Sequence, residues 1–289
     1  MKFFVLVLAL SFATSSFSCT EDGSTGFLPE NNHKIPVGAS LVGGLSESQF
    51  EAVIDKIEHI YAPIVSNMGG TLEISRLWTD STVNANAIRM GKVWHVNMYG
   101  GLARHSTITE DGFSLVLCHE IGHHLGGAPK IAGILPFNKW ASNEGQADYY
   151  ATLKCLRRVF LNDDNAAIVK ALNAPAALTT ACAKIHKDKV DRDICIRGGM
   201  AGNSVAELFA ALRNMPPAKF DTPDSNVVSK MDDNHPATQC RLDTYFQGAL
   251  CDKSLNEDVS QKDEVKGTCN SSLGYTVGNR PLCWFKPKK

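Results

Sequence analysis

Residues 109–127 read TEDGFSLVLCHEIGHHLGG. This stretch indicates the fold most clearly, and it also holds the most informative side chains of the chain. Threonine is a good N-cap, and Gly126-Gly127 is typical of a helix end. These signals predict a helix that begins near Thr107 or Thr109 and ends at Leu125. The apolar run in its middle indicates a buried helix, because an exposed helix carrying His and Glu by accident would lack such a run.

Two histidines of this helix, His119 and His123, are four residues apart and share one face. Both imidazoles can therefore reach one metal ion. Glu120 cannot easily be a third ligand, but it can take a proton from a metal-bound water. This H-E-x-x-H arrangement is typical of zinc metallopeptidases. His124 lies about 140° from His119 around the helix axis, so we expect it at the surface or behind the ligands.

A catalytic zinc ion needs a third protein ligand and an open position for water. In one class of metallopeptidase that ligand is a histidine six residues after the second, but here the position is Pro129, which cannot coordinate. In another class it is a glutamate on a later helix. Glu144 fits that pattern, 21 residues after His123. Asp148 shares its helix face and can accept a hydrogen bond from a ligand histidine, which would orient the ring.

Four stretches of the sequence resemble the gluzincin peptidases related to the CAAX prenyl protease and the HtpX heat-shock protease, including their soluble periplasmic and lipoprotein relatives. In that family the first stretch edges the active-site cleft, the second carries the zinc motif, the third supplies the last ligand, and the fourth is a His-Pro segment followed by an arginine. They are residues 84–88, 109–123, 144–148 and 235–242. The resemblance covers roughly residues 46–250.

The resemblance implies that His119, His123 and Glu144 bind zinc and that Glu120 is the general base. It gives the zinc ion three protein ligands of the kind found in catalytic sites. The family's chemistry is the hydrolysis of peptide bonds, so the resemblance also implies a protein or peptide substrate.

The resemblance further implies that His235 and Arg241 lie near the cleft. The negative oxygen of a tetrahedral intermediate needs a donor besides the metal, and the candidates are these two residues with Tyr149 and Tyr150. His235 could instead cover the zinc as an extra ligand in a resting state, and a His-Pro pair is also an ordinary helix start. A substrate segment is expected to lie extended along Asn84–Ile88 through main-chain hydrogen bonds.

The fold expected from the whole chain is α+β: a mostly helical, zincin-like domain with a small antiparallel sheet edging the cleft and a disulfide-braced C-terminal extension. Strands are predicted at 71–78, 85–90 and 92–99, the last two as a hairpin. Ser46 and Ser204 are predicted N-caps, Ser204 in a capping box with Glu207. Helices are predicted at 46–64, 107–125, 138–160, 165–172, 178–186, 204–213 and 235–250.

The N-terminus indicates export. One lysine precedes an apolar run that is too short for a membrane span of about 20 residues, as in a secretory signal peptide. Lipidation of Cys19, as in a bacterial lipoprotein, and ordinary cleavage before it are both open. The predicted organisation is a signal peptide at 1–18, a polar tether at 19–45, a zinc metallopeptidase domain at 46–250 and a cysteine-containing tail at 251–289.

The nine cysteines also bear on the compartment. With Cys19 as the processed N-terminus, eight remain, and eight allow four disulfides in an oxidising environment. Cys118 and Cys155 are the uncertain pair. They lie on the two predicted ligand helices, but at different distances along each helix from the predicted ligands. A bond between them and two buried free thiols are both open.

The net charge of −1 and the absence of a basic block argue against a nucleic-acid binder. The sequence predicts a zinc-dependent metalloendopeptidase that acts outside the cytoplasm, in the periplasm or cell envelope, either lipid-anchored or secreted. The alternative is a zinc-stabilised assembly or binding factor of the envelope that does not hydrolyse peptides.

Overall fold

A computed structural model describes residues 26–39, 43–131 and 140–288. The predicted signal peptide, Cys19 and the start of the helix predicted from residue 138 lie outside the described residues. Within these ranges the fold is α+β, with helices around one small sheet, as expected. No helix there is long and apolar enough to span a membrane.

Helices make up most of the regular structure. A π-helical segment, Ala151–Cys155, joins α4 to α5, and a short 3-10 turn covers Ser271–Leu273. The bounds of the helices are α1 Glu47–Asn67, α2 Gly100–Ala103, α3 Glu110–Leu125, α4 Glu144–Tyr150, α5 Leu156–Phe160, α6 Asn165–Ala171, α7 Ala176–Ile185, α8 Lys189–Arg213 and α9 Thr238–Leu250.

Of the two serine N-caps predicted from sequence, one is confirmed. Ser46 caps α1 in a reciprocal capping box with Gln49. Ser204 instead lies inside α8, which begins much earlier, after Asp188. The Ser204 hydroxyl donates to the Thr107 carbonyl at 2.7 Å and accepts from the Thr109 amide at 3.1 Å. This tertiary contact, which joins α8 to the start of α3, uses a side chain that the local pattern assigned to a cap.

The sheet is mixed, whereas an antiparallel sheet was predicted. Its strands are β1 Thr71–Leu77, β2 Ala85–Met90 and β3 Val93–Tyr99, in the order β1-β3-β2. The β2–β3 hairpin is antiparallel as expected, with Gly91 in its turn at φ +60°. The strand next to β1 is β3, which runs parallel to it. This order leaves β2 at an edge.

The central helix of the core is α3. It packs against β2, β3, α1, α4 and α8, and every residue from Gly112 to Leu125 is buried. Phe27 and Leu28 belong to the same core, with exposed fractions of 0% and 4%. The tether predicted at 19–45 is therefore wrong for these two residues, because their side chains fill space beside α3.

The C-terminal segment after α9 has little regular structure, as predicted, but it is part of the molecule's interior. The Trp284 side chain is fully buried, and its Nε1 donates to Thr244 Oγ1 at 2.9 Å. A Cβ atom at Gly145 would come within 2.2 Å of the Trp284 ring, so only glycine allows this contact. The segment thus packs directly on the first turn of α4.

Eight cysteines form four disulfides, which are Cys118–Cys155, Cys182–Cys195, Cys240–Cys283 and Cys251–Cys269. The bond between Cys118 and Cys155, left open by the sequence, is present with a Cα–Cα distance of 5.6 Å. The position of Cys155 along its own helix does not determine its distance from Cys118 on another helix. Here α3 packs directly against the π-helical segment that carries Cys155. The four bonds indicate an oxidising compartment.

Candidate metal centre

Two helices bring the candidate ligands together. The Thr109 side chain caps α3, and that helix places His119 and His123 on one face. The Asn143 side chain accepts a hydrogen bond from the Gln146 amide, so that α4 begins at Glu144. The helices approach closely at Gly122, where a Cβ atom would lie 2.9 Å from the Ala147 carbonyl oxygen.

His119, His123 and Glu144 form a compact group whose ligand atoms all lie within 4.8 Å of one another. The two Nε2 atoms are 3.1 Å apart. Glu144 Oε2 lies 3.3 Å from His119 Nε2, and Glu144 Oε1 lies 3.7 Å from His123 Nε2. All three side chains are buried. The predicted ligands are thus assembled in an arrangement that can hold a metal ion.

The other ring nitrogens of these histidines decide what the Nε2 atoms can do. His119 Nδ1 donates to Asp148 Oδ1 at 2.7 Å, and His123 Nδ1 donates to the Ser142 carbonyl at 2.8 Å. In neutral rings both Nε2 atoms are then lone-pair acceptors. Two acceptors 3.1 Å apart cannot hydrogen-bond to each other, but they suit a shared cation. The donor atoms present in the structure are therefore of the kind that bind a metal ion.

The electrostatics of the centre also favour a cation. Burial lowers the pKa of His119, but the Asp148 and Glu144 carboxylates outweigh it and raise that pKa to about 9. Burial lowers the pKa of His123 to about 4. Burial raises the pKa of the Glu144 carboxyl, but the nearby histidines outweigh it and hold that pKa well below the usual range. A positive charge is thus stabilised between the carboxylates and the imidazoles.

Glu120 is fully buried beside His119, and neither carboxylate oxygen has a hydrogen-bond partner in the described part of the chain. Burial raises its pKa to about 8. Buried carboxylates are normally bonded, so an unpartnered one at a metal site points to a group that arrives with substrate or water. This placement agrees with the predicted general base.

Arg241 was one of the candidate donors to the oxyanion, but its donor groups are used within the protein and are not offered to a substrate. Its Nε and Nη2 donate to Asp148 at 2.8 and 2.7 Å, and its Nη1 donates to the Phe27 carbonyl at 3.0 Å. The Tyr245 hydroxyl also donates to Asp148, at 2.7 Å. Arg241 is therefore a positioning residue, which holds the carboxylate that in turn holds His119.

His235 is the predicted donor that does lie beside the ligands. Its Nε2 is 3.4 Å from Glu144 Oε2 and donates to the Gly26 carbonyl at 2.9 Å. The two tyrosine candidates are wrong. Tyr149 OH donates to the Gly278 carbonyl, while the Tyr150 hydroxyl is buried against Tyr61.

The edge of β2 is only partly open to a substrate. The Phe27 amide donates to the Ala85 carbonyl at 2.7 Å, and the Asn84 side chain bonds both backbone groups of Leu28. The chain itself therefore covers the first part of the edge predicted at Asn84–Ile88. By strand alternation, the backbone groups of Ala87 point to the same side, and they have no backbone partner outside the sheet in the described ranges.

The sequence reasoning missed several residues of the centre. Phe27 meets the His119 ring edge-on at a centroid distance of 4.9 Å, and it comes from a segment with no local signal for burial. Tyr245 follows Arg241 by one helical turn, and this spacing was the available clue. His124 was expected at the surface or behind the ligands, but it is 2% exposed and stacks between Trp94 and Trp140.

The described residues hold one other group of metal-ligand types, Asp224 with Cys240 and Cys283, but the two sulfurs form a disulfide and offer no thiolate. Comparison of the chain with protein-family models, with curated proteins and with solved structures finds no match. The gluzincin resemblance and the zincin-like fold therefore stay predictions from the motifs.

Proposed function

We propose that this chain is a zinc-dependent endopeptidase that acts outside the cytoplasm. The observation that carries the proposal is the pair of Nε2 atoms 3.1 Å apart, which lie beside Glu144 because each Nδ1 is hydrogen-bonded elsewhere. Glu144 completes a set of two histidines and one glutamate, which is a donor set of catalytic zinc sites with an open position. Glu120 next to this set argues for hydrolysis over a purely structural ion.

A bound zinc ion supplies Lewis-acid polarisation of a carbonyl and of water. The chain's own residues supply the proton transfers and the orientation. The two oxygens of Glu120 are buried and have no hydrogen-bond partner among the described residues, so this group can accept a proton from water and deliver it to the leaving amine. His235 is the candidate donor to the developing oxyanion, for which its Nε2–H, beside the ligand Glu144, must exchange the Gly26 carbonyl for the oxyanion. Ala87 offers backbone groups to an extended peptide.

The proposed compartment rests on the disulfides. Four bonds, one of them between α3 and the π-helical segment that continues α4, indicate an oxidising environment. This supports export to the periplasm or cell envelope, or secretion. Removal of a signal peptide at 1–18 and lipid anchoring through Cys19 are parts of the proposal that the described residues do not reach.

The test compares the zinc-loaded wild type with Glu120→Gln on casein. We expect the variant to bind zinc as wild type does, by metal analysis, and to lose cleavage by at least about 100-fold, because a general base contributes roughly that much or more. Glu110→Gln is the matched control, since Glu110 lies on the same helix but is exposed in its first turn.

Two outcomes contradict the proposal. Cleavage by Glu120→Gln at the wild-type rate would remove this residue from the mechanism. Zinc-loaded wild type that cleaves nothing, yet suppresses aggregation of a denatured client as well as Glu120→Gln does, would favour the non-hydrolytic binding factor.

A further inference from the structure

Beyond Ala87 the free edge of β2 leads to a group of aromatic and basic side chains, which we call the Arg89 cluster. Its members are Arg89, Trp94, His124, Lys130 and Trp140. The cluster adjoins the metal centre, since His124 follows the ligand His123 in the chain. Ser142 links the two groups: its carbonyl accepts from His123, and its hydroxyl lies 3.4 Å from Lys130 Nζ.

The guanidinium of Arg89 lies between aromatic rings and, unlike those of Arg197 and Arg241, has no carboxylate partner among the described residues. Its Cζ lies 3.8 Å from the centroid of Trp94 and 5.6 Å from that of Trp140. Its Nε is buried with no hydrogen-bond acceptor, and no ion pair to a carboxylate is found in the described ranges. By contrast, Arg197 and Arg241 are each clamped on aspartates. A flat guanidinium with free donor groups is suited to bind an incoming carboxylate.

Lys130 adds a basic group to the cluster, and it has no carboxylate partner among the described residues. Lys130 Nζ donates to the Trp140 carbonyl at 2.9 Å. Burial, and then the charge of Arg89, lower the pKa of Lys130 to about 7. The His124 ring stacks between Trp94 and Trp140, at centroid distances of 5.5 and 4.7 Å. Two cations held close together in a partly buried site disfavour each other, and a bound anion would offset that repulsion.

The geometry of β2 aligns this cluster with a substrate. The N–H and C=O of Ala85 face the free edge, where they meet Asn84 Oδ1 and the Phe27 amide. Alternation along the strand places the backbone of Ala87 and Arg89 on the same edge. A peptide that pairs with Ala87 would set a side chain beside Arg89 on the same face, two residues farther along.

We propose that Arg89, with Lys130 behind it and Trp94 and Trp140 around it, binds the carboxylate of an Asp or Glu side chain of a peptide that pairs with the edge of β2. This inference rests on the proposed peptidase function and names its substrate class as acidic peptides. Arg89 then determines specificity and takes no part in the chemistry.

The test uses octapeptides of Ala, Leu and Ser that carry one Glu, moved through each position, and a matched series with Gln. For wild type, we expect kcat/KM for the best Glu peptide to exceed that of its Gln counterpart by about tenfold or more, since a charge-assisted bond contributes at least that factor. In Arg89→Gln the ratio should approach one, and Arg89→Lys should keep part of it. Lys92→Gln, which removes an exposed charge from the same hairpin, should leave the ratio intact.

Binding gives a second measurement that does not depend on cleavage. Zinc-loaded Glu120→Gln should bind the Glu peptide more tightly than the Gln peptide in a titration followed by tryptophan fluorescence, and adding Arg89→Gln should abolish the difference. Equal rates and equal binding for the two series, or a preference that survives Arg89→Gln, would overturn the inference while leaving peptidase function intact. Arg89-dependent binding without any cleavage would support the acidic site and contradict the peptidase.

Discussion

Asp148 contacts side chains from two helices. It accepts hydrogen bonds from His119 of α3 and from Arg241 and Tyr245 of α9, and none of its surface is exposed. A burial this complete raises the pKa of a carboxyl group, but Arg241 and His119 outweigh it, so the pKa of Asp148 stays below its usual value. The residue is therefore an anion that sets the tautomer and the orientation of a ligand histidine.

We predict that Asp148→Asn raises the Kd for zinc about 10- to 100-fold, the usual effect of losing such a partner. The amide keeps the shape of the carboxylate but not the charge that holds His119 and pairs with Arg241. Competition with a chromogenic chelator measures the Kd. Asp193→Asn is the control, because Asp193 is also buried but pairs with Lys189 away from the centre. If Asp148→Asn binds zinc with the same Kd as Asp193→Asn, Asp148 does not support the metal.

At the scale of elements, the centre depends on how α3 crosses α4 and the π-helical segment that continues it. Cys118 immediately precedes His119, and its disulfide to Cys155 joins the helix with two ligands to the helix with the third. Insertions of π-helix are frequent at functional sites, because they shift one part of a helix relative to the other. The bond therefore constrains the same crossing that brings Glu144 to the histidines.

We predict that Cys118→Ala/Cys155→Ala lowers the free energy of unfolding by about 3–4 kcal/mol, as expected for the loop that this bond closes, and also raises the Kd for zinc. Urea unfolding measures the first and chelator competition the second. The control, Cys182→Ala/Cys195→Ala, removes the bond between α7 and α8. It should cost about 3 kcal/mol and leave zinc binding unchanged. An equal effect of both double variants on zinc binding would refute this role.

At the scale of the whole molecule, the segment after α9 completes the interior around α4. The Cys240–Cys283 bond ties this segment to α9, and Trp284 fills the space above Gly145. Arg280 Nη1 reaches Gln146 at 3.1 Å. Residues 251–288 therefore support the turn that begins with Glu144, although they are mostly irregular.

We predict that Trp284→Ala lowers the free energy of unfolding by about 3–5 kcal/mol, the cost of a large cavity in a packed core. The segment and the helices should unfold together in one urea transition, because Trp284 and Phe285 share a hydrophobic cluster with residues of α4 and α9. Leu282→Ala is the control, since that side chain is 44% exposed in the same segment and should change little. A separate early transition for the tail, with little cost from Trp284→Ala, would show that it folds independently.

The sequence by itself determined the local features. The spacing of apolar residues and the N-cap residues predicted α1 and α3, and the strand pattern predicted the β2–β3 hairpin. These signals act over only a few residues. The spacing of His119 and His123, and of Glu144 and Asp148, placed each pair on one helix face for the same reason. These predictions needed no knowledge of how the helices meet.

Only the tertiary structure decided the rest. The parallel pairing of β1 with β3, the Cys118–Cys155 bond and the attachment of Arg241 to Asp148 all join residues far apart in the chain. Such contacts depend on packing between elements, which no local pattern encodes. Phe27 is the clearest case: its segment reads as a tether, yet the interior beside His119 has room for one aromatic ring, and burying that ring outweighs the local signal.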